Sequence, residues 1–366
     1  MRDDVKRAMH AASRFALPRP PTFVVPYGNG LIHVTYRVDV ETAGGRRRFL
    51  LQRIHRGVFH DVASLMRNVE RVLGHLHARD ATREDEPPYP ALVRTADGEA
   101  WLDEKGSAWR MMSYVEGATS IDRAPTPRQA GQIGHAFGRL LNDLRSLSPS
   151  DLTPVLPGYR NTERYLNDLE RAAAEDVRGR RRSARVEIAR LRAGREAALI
   201  LRRLWRTGTL TTGVVHGDTK LNNVLFDPRG ENALCAIDFD TVGSGLLLHD
   251  IGDCVRDLLV GTAVSRGELT KDDVTAFEAL VRGFMQGMGT PLLRPELDHI
   301  VDAAVSIALE LAARFLTDDL RGDVYFRAHR GRENRNRARE HLHLVDLLEA
   351  DRARLDAAVH RAFESC

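Results

Sequence analysis

The chain has 366 residues, 43% of them hydrophobic, with 54 basic against 51 acidic side chains and a formal net charge of +3. That length favours two packed lobes over one small core, and no apolar run reaches the roughly 20 residues that a membrane-spanning helix needs. Cys235, Cys254 and Cys366 are too scattered for a disulfide framework, and the charged N-terminus leads into no signal core, so a reducing, cytoplasmic setting is expected.

The first hundred or so residues read as strands with one helix. Extended segments are expected near 22–25, 31–40 and 48–54, the last two joined by a turn at Gly44-Gly45. A helix follows Asp61, with Val62, Leu65, Met66, Val69, Val72, Leu73 and Leu76 repeating at three and four. Residues 79–90 are charged and proline-bearing and read as a loop. Strands are expected again near 91–94 and 109–112. Beyond the segment Met112-Ser113-Tyr114-Val115-Glu116-Gly117 the chain turns helical, over 126–147, 163–174, 185–205, 271–287, 297–316 and 335–355. One β-rich island interrupts it, over 212–241. The expected fold class is therefore α+β, with a β-rich N-lobe over 1–111, a connector or hinge over 112–117 and a larger α-rich C-lobe over 118–366. The run 178–185 (RGRRRSAR) is the densest basic stretch; without aromatics it reads as a solvated loop between helices. A pI near 8.9 suits a polyanionic substrate, and no aromatic-interleaved basic stripe points to nucleic acid.

The island carries the chemistry. His216-Gly217-Asp218-Thr219-Lys220-Leu221-Asn222-Asn223 precedes an apolar strand, and Asp238 closes the next one. Phosphoryl transfer asks a protein for positioning, charge neutralisation and a carboxylate that accepts a hydroxyl proton. Asp218 would take the proton, while Asn223 and Asp238 would supply the hard oxygen ligands that magnesium prefers. Lys220 would either neutralise the transferring phosphoryl group or sit in solvent.

These residues carry a resemblance. The H-x-D-x-x-x-x-N loop and the later aspartate look like those of aminoglycoside phosphotransferases, choline kinases and other protein-kinase-like small-molecule kinases. His216, Asp218, Asn223 and Asp238 match that pattern. The resemblance implies a protein-kinase-like two-lobed fold, ATP as co-substrate and Mg2+, with Asp218 as base and His216 structural. It also implies that the turn Gly28-Asn29-Gly30 contacts phosphates, and that the Ser113 carbonyl and Val115 N–H pair with adenine. Longer stretches, among them Gly28-Asn29-Gly30-Leu31-Ile32-His33, Leu51-Gln52-Arg53-Ile54-His55 and Gly322-Asp323-Val324-Tyr325-Phe326, resemble N-acetylhexosamine 1-kinase and its bacterial relatives. On that likeness the acceptor is a small molecule, a sugar, touched by His33, Asp218, Asp240, Asp318 and Tyr325. Neither a membrane nor a nucleic acid is expected as partner, and the chain is expected as a monomer or homodimer. An aminoglycoside or amino-alcohol kinase of the same fold is the alternative, with a non-catalytic nucleotide-binding protein behind it.

Two features depart from the expected pattern or bear on the acceptor. The strand that should carry a phosphate-binding lysine offers Gln52 and Arg53, which strand alternation sends to opposite faces; charge favours Arg53. Between Arg321 and Glu340 seven arginines face three acidic residues, which argues against a polycationic acceptor.

Overall fold

The computed structural model describes residues 2–28, 30, 32–80, 89–124, 126–290, 292–326 and 332–365. The chain divides into two compact units, Met1–Ala118 with Thr153–Leu156, and Thr119–Leu152 with Pro157–Cys366.

The first unit contains α1 (Arg2–Ala12), β1 (Phe23–Pro26), β2 (Val34–Thr42), β3 (Gly45–Ile54), α2 (Val62–Asp80), β4 (Leu92–Val93), β5 (Leu102–Glu104) and β6 (Ser107–Ser113). The strands form an antiparallel sheet of order β1-β2-β3-β6-β4, with β5 also paired to β6. Alternation places Tyr36, Val38 and Val40 of β2, Phe49 and Leu51 of β3, and Trp109 and Met111 of β6 on one face. Ala8, Ala11 and Ala12 of α1 and the following Phe15 pack there. This helix is absent from the sequence expectation because its buried face is mostly alanine, which gives the apolar period little contrast. The start of α2 is as expected: Asp61 accepts the Ser64 N–H (2.9 Å) and the Ser64 hydroxyl (2.6 Å).

The second unit opens with β7 (Thr119–Ser120), α3 (Pro127–Leu144), α4 (Thr162–Glu175), α5 (Arg185–Ala193), α6 (Arg195–Ala198) and α7 (Ile200–Arg206). It continues with β8 (Thr212–Val215), β9 (Val224–Phe226), β10 (Ala233–Ala236), β11 (Gly243–Leu246), α8 (Leu247–Val260) and α9 (Lys271–Met288). It ends with α10 (Arg294–Leu297), α11 (Ile300–Arg321), α12 (Glu333–Ala350) and α13 (Arg352–Glu364). The long α11 packs against α4, α8 and α12. Helices α3 and α9 meet backbone to backbone. A methyl group on Gly134 or Gly138 would strike the carbonyl of Leu280 or Phe284, and one on Gly283 or Gly287 would strike that of Gly131 or His135.

Two expected helices come out differently. The helix expected over 185–205 is three short helices, broken at Gly194 and Leu199. The helix over 335–355 breaks at Asp351. Helix α8 is marked in the sequence only by its start, where Asp253 and Arg256 share a turn: Leu248, Ile251, Cys254, Val255, Leu258 and Leu259 bury several sides of it, which flattens the amphipathic signal. Among the described residues no helix is long and apolar enough to cross a membrane.

Candidate active site

The loop that follows β8 is held from below by a helix. Strand β8 pairs antiparallel with β11, Val215 opposite Gly243. From Val215 the chain turns through His216 and Gly217, whose φ is +83° and where a Cβ would lie 2.8 Å from the Thr241 carbonyl oxygen. The fully buried Asp250 of α8 accepts the N–H groups of His216 (2.6 Å) and Gly217 (2.8 Å), and its own carbonyl accepts the Thr219 hydroxyl (2.6 Å). Burial pushes the Asp250 carboxyl up, against the pull of His216 and the two amides. Two turns further along, Asp257 accepts the Leu221 N–H (2.9 Å). Asp250, Asp253 and Asp257 recur at three and four along α8 and so share the face beneath the loop.

His216 is a spacer with a fixed tautomer. Its Nε2 lies 2.9 Å from the Ile237 carbonyl, which can only accept, so Nε2 carries the proton. Its Nδ1 then accepts the Asp218 N–H at 3.2 Å. The ring thus ties the loop to the strand end that bears Asp238, and it is fully buried, with no role in proton transfer.

Above this support the four expected side chains converge. Lys220 Nζ lies 2.9 Å from Asp218 Oδ2. Burial alone would push the Lys220 ammonium down, but Asp218 and Asp238 outweigh it and hold Lys220 above its usual range. The Asn223 amide nitrogen donates to the Asp218 carbonyl (2.8 Å), which leaves Oδ1 as the atom that can meet a hard cation. Asp238 stands at φ +72°, a left-handed conformation at the exit of β10, and its charge acts on Lys220. Strain of this kind, held by surrounding structure, is common at functional positions. Asp240 is buried in the short 3-10 turn that follows. Among the described residues no group of three or more His, Cys, Asp or Glu is arranged to hold a metal. One amide oxygen and one carboxylate are what magnesium takes from a protein when phosphates and water complete its shell.

Asp253 and Arg256, which share a turn of α8, are joined around the loop by Tyr159, Arg160 and Glu310, which no motif in the sequence singles out. The Gly217 carbonyl accepts from the Tyr159 hydroxyl (2.8 Å) and from Arg160 Nη2 (2.7 Å). Arg160 also reaches Asp253 (2.5 Å) and Glu310 (3.4 Å), and Arg256 pairs with Asp253 and Asp257 at 2.5 Å. Burial would raise the Asp253 carboxyl, but Arg160 and Arg256 outweigh it and hold it well below the usual carboxylate range. The only sequence signal for Tyr159 and Arg160 is the Pro157-Gly158 turn before them.

A profile of the phosphotransferase enzyme family matches residues 24–282, more than two thirds of the chain. The chain belongs to that family. The same fold is found in an aminoglycoside phosphotransferase from Alicyclobacillus acidocaldarius, at 15% identity and TM-score 0.59, over 98% of this chain and 96% of that one. It is found in amicoumacin kinase, solved in complex with AMP-PNP, Ca2+ and Ami, at 14% identity and TM-score 0.60, over 95% and 97%. A choline/ethanolamine kinase family protein from Mesorhizobium loti follows at 17% identity and TM-score 0.55, over 99% and 100%. The fold is thus protein-kinase-like, as the resemblance implied, with a β-sheet region followed by a helical one.

In this phosphotransferase the remaining expected residues fall into two groups. Gly28 (φ +72°) and Gly30 lie in the turn between β1 and β2, and Asn29 lies outside the described residues. Ser113 ends β6, its hydroxyl accepting the Ala91 N–H (2.8 Å), and Val115 opens a turn closed by the Ala118 N–H. His33 is buried with its ring against Phe59, and its Nδ1 accepts the His55 N–H at 3.1 Å. Arg53 is corrected. Its side chain lies on the face that α1 covers, 3.6 Å from Asp4 and over the Trp109 ring. Gln52 takes the other face, accepting from Arg110 Nε (2.8 Å) and donating to Thr35 (3.2 Å). Charge favoured Arg53, but α1, which the sequence did not reveal, supplies its counter-ion.

Asp318 is engaged by its own loop. It accepts the N–H groups of Val324, Tyr325 and Phe326 at 2.8–2.9 Å and the Asn334 amide at 2.9 Å. Four donors fill a carboxylate, so Asp318 folds its own loop and has no capacity for a sugar hydroxyl. Tyr325 is partly exposed beside Phe326. The described arginines after it have acidic partners: Arg332 pairs with Asp319, Arg335 and Arg339 with Glu187, and Arg337 with Glu333. Their carboxylates remove the charge argument against a cationic acceptor.

Proposed function

We propose that this phosphotransferase moves the γ-phosphoryl group of ATP onto a hydroxyl of a small-molecule acceptor, with Asp218 as the base. The observation that carries the reading is the convergence of Asp218, Lys220 and Asn223 on one loop, with the charge of Asp238 acting on Lys220. Asp218 accepts the proton of the acceptor hydroxyl as its oxygen attacks the γ-phosphorus in line. The bond to the bridging oxygen breaks, and ADP leaves with that electron pair. Lys220 holds Asp218 in place and offsets the charge of the transferring group. Asn223 Oδ1 and Asp238 would hold magnesium, whose charge neutralises the phosphates. The nucleotide contacts that the resemblance assigns to Gly28, Asn29, Gly30, Ser113 and Val115 belong to the same proposal.

For the acceptor we favour an aminoglycoside or amino alcohol, the kind of substrate named for the proteins that share the fold. The paired arginines of α12 leave no objection to such a cation. The N-acetylhexosamine reading rests on sequence resemblance alone, and Asp318 no longer supports it. Magnesium–ATP turnover against a panel of aminoglycosides, choline, ethanolamine, N-acetylglucosamine and N-acetylgalactosamine separates the two. Asp218→Asn should keep nucleotide affinity and lose turnover by about 100-fold or more, the scale of a general base. Ordinary turnover in that variant would remove Asp218 from the mechanism.

A further inference from the structure

The basic run at 178–185 reads as a solvated loop in the sequence, but it forms one wall of a pocket of about 710 Å³. That is the size of a small-ligand site. The other walls come from α5 and α12, and none of the residues of the catalytic loop lines it. Five arginines do: Arg182, Arg185, Arg190, Arg335 and Arg339, with Glu187 as the acidic residue.

The charges do not balance. Glu187 is buried and shared between Arg335 (3.0 Å) and Arg339. Arg190 pairs with Asp346. Two carboxylates thus answer five guanidinium groups, and Arg182 and Arg185 have no carboxylate partner among the described residues. Like charges gathered in a concave site repel more than on an open face, because the walls displace water. The wall that carries them is also fixed. Arg180 donates to the Asp319 carbonyl (2.6 Å) and to Asp323 (2.9 Å), and Arg332 holds the Ser183 hydroxyl (2.9 Å) and Asp319 (3.0 Å).

We propose that this pocket binds a small anion carrying two or more phosphate-type charges, at a site separate from the catalytic loop. Guanidinium groups fit phosphate oxygens two at a time, and Arg182 and Arg185 are free to turn to them. The apolar lining is Val186 and Leu342 with no aromatic ring, so the stacking platform that a single nucleic-acid strand needs is missing.

The test is calorimetric titration of inorganic pyrophosphate, tripolyphosphate and a sugar monophosphate into the full chain, with Mg·ADP present and ionic strength matched by sodium chloride. Wild-type protein should show saturable binding, strongest for the probes with linked phosphates. Arg182→Ser/Arg185→Ser should weaken that component about tenfold or more, the loss expected for charged hydrogen bonds. Because neither arginine holds the fold, the double variant should melt at the same temperature as wild type, or higher, without anion. Equal affinity in the two proteins would overturn the proposal, even if Mg·ADP fails to bind. So would an RNA oligomer that binds through these arginines where pyrophosphate does not.

Discussion

Arg53 and Gln52 are neighbours on β3, and the side of the strand decides what each can do. Arg53 lies 3.6 Å from Asp4 of α1 and 5.9 Å from the centre of the Trp109 ring, on the sheet face that α1 covers. A partly exposed ion pair contributes about 0–1 kcal/mol and a cation–π contact about 0.5–1 kcal/mol. Arg53→Ala should therefore lower stability by roughly 1 kcal/mol, read by urea denaturation, and leave nucleotide affinity within about twofold of wild type. A tenfold loss of nucleotide affinity would return Arg53 to the phosphates. At the same scale Asp218 and Lys220 form a single unit. Removing Lys220 leaves Asp218 without its cation, so Lys220→Ala should lower kcat more than the KM for ATP in steady-state assays.

At the scale of elements, glycines in two helices have opposite meanings. Gly134 of α3 faces the backbone of α9 with no room for a methyl group, whereas Gly74 of α2 has nothing within 4 Å of a Cβ. Overpacking a tight contact costs about 1–3 kcal/mol. An open glycine in a helix gives up about 0.5–1 kcal/mol relative to alanine. Gly134→Ala should thus lower the melting temperature and Gly74→Ala should raise it; the same sign for both would mean that the α3–α9 seam has slack. This seam also shows where the sequence was silent. A strand pair such as β2–β3 was legible because a glycine turn and β-branched residues mark it locally. The loop from His216 to Asn223, with Asp238 beyond it, was legible because its chemistry is compressed into adjacent segments of chain. The contacts of Tyr159 and Arg160 with Gly217 are long in sequence and leave no periodic trace. The close approach of α3 and α9 depends on glycines that look ordinary one at a time. Helix α1 was hidden because its buried face is too rich in alanine, whereas α8, too buried to alternate, shows only through the Asp253–Arg256 spacing at its start.

Across the whole molecule, the buried charges of the second unit set how it answers acid. Asp253 sits between Arg160 and Arg256, and two histidines share their neighbourhood. Burial, then the charge of Arg160, pushes His249 down to about 3, and burial with Arg256 does the same to His341. His341 shows the structural reason. Its Nδ1 donates to the Arg337 carbonyl (2.8 Å), and its Nε2 is buried with no hydrogen-bond partner among the described residues, so a second proton there would be unsatisfied. In the unfolded chain both rings take up protons near the ordinary histidine value of about 6.5. Between that value and about 3 the unfolded state binds more protons, so stability is full above pH 6.5 and falls as the pH drops through it. Each fully titrating ring contributes a slope of about 1.4 kcal/mol per pH unit. Asp253, held low, adds a loss of the same sign only below the ordinary carboxylate range, while Asp250, pushed up, works against it. The histidine part is isolated by comparing wild type with a double variant between pH 7 and pH 5, since the carboxylates are common to both. There the denaturation free energy of wild type should fall, and that of His249→Gln/His341→Gln should stay nearly level. Parallel curves for the two proteins would mean that these rings accept protons in the folded state.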